Sequence, residues 1–124
     1  MSAPAIMVVD DDPSVREALT DFLSDEGFRV RDAVNGADAL AQLASSREVP
    51  ALMILDLSMP VMTGYELLRQ IKGDEHWSPF PVLVLSGTLD EGTLPCDIAQ
   101  LRKPIDSVAL VAMIRGILQE RYPS

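Results

Sequence analysis

Cysteine, histidine and cationic side chains are scarce in this chain of 124 residues, and each scarcity excludes something. The single cysteine, Cys96, permits no internal disulfide, which fits a reducing compartment. The one histidine, His76, lies in a polar stretch beside Trp77, so neither a histidine metal cluster nor a proton relay can be built on it. Lys and Arg number 10 against 19 Asp and Glu, a formal net charge of −9. Such a surface argues against nucleic acid, whose binding needs cations to displace phosphate counterions, and against anionic membranes. No apolar run approaches the roughly 20 residues of a membrane span. The start, Met-Ser-Ala-Pro, has neither the basic region nor the apolar core of a secretory signal. Aromatics make up only 5%, yet hydrophobic residues reach 48% and charged ones 23%, enough for one buried core. At this length one domain spanning residues 1–124 is expected.

Three short segments, 6–9, 51–55 and 82–85, are wholly apolar and bounded by Asp, Ser, Pro or Gly. Strands buried on both faces, as in the middle of a parallel sheet, read this way. Segments 28–31 and 98–101 are mixed and suit edge strands. Helical patterns alternate with them. Asp12 is placed to cap a helix with Pro13 in its first turn, Val15, Ala18, Leu19, Phe22 and Leu23 facing inward, and Gly27 as its stop. Asn35-Gly-Ala-Asp38 opens a second helix carrying Ala37, Leu40, Ala41 and Leu43. Thr63 to Glu66 resembles a capping box for a third, with Leu67, Leu68 and Ile71 inward. Asp106 caps a last one, with Leu110, Val111, Ile114, Ile117 and Leu118 inward. Alternating strands and helices predict an α/β fold with a five-stranded parallel sheet in the order 2-1-3-4-5. Ligands of such sheets bind beyond the carboxyl ends of the strands, at the switch between strands one and three.

The residues at those ends are polar or ionised. Asp10-Asp11-Asp12 follow the first strand, Asp56 the third, Ser86-Gly87-Thr88 the fourth and Arg102-Lys103-Pro104 the fifth. Carboxylates brought within about 4 Å of one another repel by roughly 4 kcal/mol per pair at an effective dielectric near 20. Lys103 supplies one positive charge, too little for three carboxylates. A hard divalent ion such as Mg²⁺ remedies the excess, and would also draw in a phosphoryl group.

Here the chain resembles the receiver domain of two-component response regulators, in particular the single-domain type found among chemotaxis regulators. The matching motifs are Val8-Val9-Asp10-Asp11-Asp12, the stretch from Leu55-Asp56-Leu57-Ser58 through Met59-Pro60 to Thr63-Gly64, Val84-Leu85-Ser86-Gly87, and Leu101-Arg102-Lys103-Pro104. Each is weak alone; four in order at four strand ends are specific. The resemblance implies a flavodoxin-like, doubly wound three-layer sandwich. It implies a bacterial, cytoplasmic phosphoacceptor that assists its own phosphotransfer and dephosphorylation rather than an enzyme. Asp56 matches the acceptor that takes a phosphoryl group from the phosphohistidine of a sensor histidine kinase or phosphotransfer protein, after which contacts with a downstream protein target change. Asp10, Asp11 and Asp56 match the Mg²⁺ carboxylates, with Asp11 the direct ligand of the acidic pair and Asp10 acting through water. Ser58 matches the residue whose backbone carbonyl joins them. Ser86 matches the hydroxyl that hydrogen-bonds the bound phosphoryl group, and Lys103 the lysine that pairs with it. The Lys103–Pro104 bond matches the family's cis peptide.

The chain departs from the pattern between Ser86 and Lys103. Residues 87–97 contain Gly92 and Pro95, so a fourth helix is expected to be short or missing. Gln100 stands three positions before Lys103, where the family usually has an aromatic switch residue. Three other functions compete. A receiver-like interaction scaffold without productive phosphorylation draws support from the shortened region. An Mg²⁺-dependent aspartyl phosphohydrolase would usually place a second Asp two residues past its nucleophile, where this chain has Ser58. A nucleotide or flavin binder needs a Gly-rich or hydroxyl-rich loop after the first strand, and three aspartates there would repel phosphate.

Overall fold

The computed structural model describes residues 5–45, 50–56, 66–67, 69–70, 80–86 and 99–121. Five strands, β1 (Ala5–Val9), β2 (Arg29–Ala33), β3 (Leu52–Asp56), β4 (Val82–Ser86) and β5 (Ala99–Arg102), form one sheet. Every pairing is parallel and the order is β2-β1-β3-β4-β5, as expected. Three helices have described bounds: α1 (Pro13–Asp25), α2 (Gly36–Ser45) and α3 (Ser107–Arg121). Glu66, Leu67, Arg69 and Gln70 are also helical. Residues 87–97, where a fourth helix is expected to be short or missing, and the proposed Thr63 cap fall outside the described residues, as do His76, Trp77 and Cys96.

The period of two along the central strands divides the core into two layers. Met7, Val9, Met53, Leu55, Val82 and Val84 face one side, against Ala39 and Leu43 of α2 together with Leu67 and Phe80. Ile6, Val8, Leu52, Ile54, Leu83 and Leu85 face the other, against Leu23 of α1 and Leu110 and Ile114 of α3. Both faces are covered, so the central strands have no solvent side on which a polar residue could sit. That is why their sequences are continuously apolar rather than alternating.

Local chemistry sets the helix ends. The Asp12 carboxylate accepts from the backbone N–H groups of Ser14 at 2.9 Å and Val15 at 3.4 Å, with Pro13 in the first turn of α1. Glu26 closes α1, and Gly27 follows with φ of 95°, a left-handed conformation that favours glycine. Asn35 caps α2 by accepting from Asp38 N at 2.8 Å, and Asp106 accepts from Val108 N at 3.3 Å at the start of α3.

Several expectations need correction. Val15 and Ala18 are exposed. They line an open apolar groove of about 370 Å³ with Leu19, Phe22, Pro104 and Ile105. In α2 the inward positions are Ala39 and Leu43, while Ala37 and Ala41 are exposed. Val111 is half-buried, in contrast to Leu110 and Ile114. Strand β2 starts later than expected and runs on to Ala33, because Val8 and Val9 pair with Asp32 and Ala33. A charged residue can stand in that strand because β2 is an edge. Gln100 lies exposed on the opposite edge strand, β5.

Candidate functional site

Strand β1 ends against Asp10, whose backbone N–H continues the ladder to Ala33 O at 3.2 Å. Neighbouring β3 ends on Asp56, held in register opposite Leu85 of β4. Parallel pairing therefore delivers both aspartates to the same edge of the sheet at the point where the chain order reverses. Both are buried, Asp10 at 2% exposure and Asp56 at 5%. Asp11, the next residue after Asp10, is exposed. One carboxylate oxygen from each of Asp10, Asp11 and Asp56 lies within 4.8 Å of the others.

Two of these carboxylates are compensated differently. Asp56 Oδ1 accepts from Lys103 Nζ at 3.2 Å, a bond between residues 47 apart in sequence that spans β3 and the end of β5. The Lys103–Pro104 peptide is cis. Asp10 Oδ1 accepts from the backbone N–H of Asp12 at 2.9 Å, but its Oδ2 is buried with no hydrogen-bond partner among the described residues. Burial pushes the Asp10 carboxyl above the usual carboxylate range. The Asp12 N–H opposes that shift, the Asp56 charge adds to it, Lys103 opposes it and Asp11 adds to it.

A second tier fixes the loop. Arg16, near the start of α1, donates through Nη1 to the backbone oxygen of Asp10 at 2.8 Å and through Nε to Asp32 Oδ2 at 3.2 Å. Neither Arg16 nor Asp32 stands out in sequence. The usable signal is that Arg16 falls four residues after the capping Asp12, and its N–H bonds Asp12 O at 2.9 Å, so it lies one turn beneath the acidic loop.

Four of the six residues singled out from sequence are thus brought together: Asp10, Asp11, Asp56 and Lys103. Ser86 is the last residue of β4, paired with Arg102 next to Lys103, so its backbone lies at the same edge. Ser58 lies outside the described residues. The donor set is hard oxygen, with negative charge in excess of the local lysine and one buried oxygen unpartnered. It fits a divalent cation of the Mg²⁺ or Ca²⁺ type better than a soft metal, which would prefer sulfur or imidazole.

Comparison with known proteins agrees with this arrangement. The family model of the response regulator receiver domain matches residues 6–115. The chain is 35% identical over 127 residues to the response regulator Rre1 of Synechocystis sp., covering 97% of this chain and 54% of that protein. It is 36% identical over 121 residues to the response regulator MprA of Mycobacterium tuberculosis, covering 95% and 52%. It therefore spans about half the length of these relatives. Among solved structures it resembles the receiver domain of a signal transduction histidine kinase from Syntrophus aciditrophicus, with TM-score 0.85, 29% identity and coverage of 98% and 95%. It also resembles the chemotaxis protein CheY4 of Vibrio cholerae, with TM-score 0.81, 27% identity and coverage of 94% and 99%. A parallel sheet in the order 2-1-3-4-5, an acidic cluster at its switch point and a match over most of its length agree: the chain belongs to the response regulator receiver domain family.

Proposed function

We propose that residues 1–124 form a single receiver domain that accepts a phosphoryl group on Asp56 from the phosphohistidine of a sensor histidine kinase or phosphotransfer protein. The observation that carries this reading is the convergence of Asp10, Asp11 and Asp56 within 4.8 Å, with Lys103 bonded to Asp56. In the transfer an Asp56 carboxylate oxygen forms a bond to phosphorus as the phosphorus–nitrogen bond to histidine breaks. The electron pair stays with the imidazole nitrogen, and Asp56 becomes an acyl phosphate.

An anionic phosphoryl group meets an anionic acceptor here, so the site must supply positive charge. Asp10, Asp11 and Asp56, joined by the backbone carbonyl of Ser58, would hold Mg²⁺, which when bound offsets that charge. Lys103 draws the phosphoryl oxygens towards β5 while remaining within reach of Asp56, and the Ser86 hydroxyl donates to an oxygen of the attached group. The resulting shift in charge and hydrogen bonding would alter contacts with a downstream protein in the cytoplasm. In this reading the domain is a self-assisting phosphoacceptor rather than an enzyme with an external turnover substrate. Ser58, standing where a phosphohydrolase usually has its second Asp, weighs against the phosphohydrolase reading.

The test is intact-protein mass spectrometry after incubation with acetyl phosphate and Mg²⁺. The native chain should gain one phosphoryl group, lost on chelation beforehand, and Asp56→Asn should gain none. Retention of label by Asp56→Asn would contradict the acceptor assignment. A native chain that takes no label from either acetyl phosphate or a phosphorylated kinase would make the scaffold reading the correct one.

A further inference from the structure

Arg16 plays no part in the transfer chemistry described above, yet it grips the acidic loop. Its side chain is half-buried, with 16% exposure, and its guanidinium makes two bonds, to Asp10 O and to Asp32 Oδ2. The carbonyl it holds belongs to the peptide joining Asp10 to Asp11. Because that unit is planar, fixing its oxygen also fixes the direction in which the chain leaves for Asp11. Asp10 is anchored at three points: N–H to Ala33, Oδ1 from Asp12 N–H, and backbone oxygen from Arg16. The Asp11 carboxylate is exposed and has no hydrogen bond among the described residues, so the backbone beneath it sets the direction from which it reaches the cluster.

We propose that Arg16 is a positioning residue for the divalent-cation site, orienting the Asp10–Asp11 peptide so that the Asp11 carboxylate joins those of Asp10 and Asp56. This rests on the cation-assisted reading of the acidic cluster. Its consequence runs against simple electrostatics. A positive guanidinium beside a cation site repels the incoming ion, so a residue acting by charge alone would tighten binding when removed. A positioning residue would weaken binding when removed, because one carboxylate no longer converges. Partners that orient metal ligands from outside the coordination shell typically contribute about 10- to 100-fold in affinity. Lysine cannot substitute fully, since one ammonium lacks the planar fork needed for two acceptors in different directions.

The decisive experiment is calorimetric titration of MgCl₂ alone into the full chain and into Arg16→Met and Arg16→Lys, each with a thermal melt. Arg16→Met should melt cooperatively and bind Mg²⁺ about tenfold more weakly. Arg16→Lys should fall between it and the native chain. Unchanged or tighter binding by folded Arg16→Met would overturn the proposal. If Arg16→Met does not fold, Arg16→Lys decides: weaker binding supports positioning, and affinity equal to the native chain overturns it. A native chain that binds no Mg²⁺ would overturn the cation-assisted reading itself, an outcome visible before either variant is compared.

Discussion

Strands β1 and β3 each contain two environments within a few ångströms. Through their length every side chain is apolar and buried between helices; at their carboxyl ends Asp10 and Asp56 are equally buried but carboxylic. Interior burial is favourable because each apolar side chain leaves water and meets close-packed neighbours. At the strand ends the same burial strips water from a charge, which is costly unless a partner replaces it. Asp56 has Lys103, while Asp10 keeps a buried oxygen with no partner among the described residues and a raised pKa. The sheet is therefore apolar and close-packed in its middle, and at one edge it carries a buried carboxylate oxygen with no partner among the described residues. That edge is where a cation and a phosphoryl group would find favourable interactions waiting.

Three substitutions test this contrast, in order of expected size. Leu55→Ala removes a fully buried side chain one residue before Asp56. It should lower the unfolding free energy by about 2–5 kcal/mol in urea denaturation. A loss below about 1 kcal/mol would mean that the strand interior is not tightly packed.

Asp10→Asn acts in the opposite direction. In chelator at neutral pH it should raise stability by about 1–3 kcal/mol, because it removes a buried charge that lacks a full set of partners. The sign with pH follows from linkage. The folded pKa of Asp10 lies above its unfolded value. Between the two the native state holds the extra proton, so the contribution is favourable at low pH and is lost as pH rises through the folded pKa. The advantage of Asp10→Asn should thus be largest above that pKa and vanish once the pH falls below the ordinary carboxylate range. Denaturation curves across pH that show a constant difference, or a destabilised variant, would break the contrast.

Asp12→Ala sharpens it at smaller scale. The Asp12 side chain caps α1 rather than joining the acidic cluster. Its loss should cost about 1 kcal/mol in urea denaturation. Because the Asp12 backbone N–H that bonds Asp10 remains, Mg²⁺ affinity should stay close to native; a tenfold loss would show that the cap and the cluster are one unit.

Much of the molecule was legible from residues alone. The continuous apolar segments marked the three central strands, and Asp12, Asn35 and Asp106 marked helix starts because capping is a contact over two or three residues. Asp10, Asp11, Asp56 and Lys103 were legible because strand ends gather at one edge once the order of strands is known. Less legible were the elements at edges. Asp32 lay beyond the expected segment 28–31, yet pairs opposite Val8 because an edge strand can carry a charged residue. Val15 and Ala18 had the helical spacing of inward residues, but spacing does not tell how far a neighbouring helix extends over them.

Periodicity, capping chemistry and the sign of the charges are written in the order of amino acids, because each depends on residues a few places apart. They determined the class of fold, the strand order and the chemical character of one edge. Which carboxylate receives the lysine, which oxygen is left unpartnered and what Arg16 holds were decided only in three dimensions. Those contacts depend on register and on a backbone carbonyl, a group that every residue carries and that no residue type reveals.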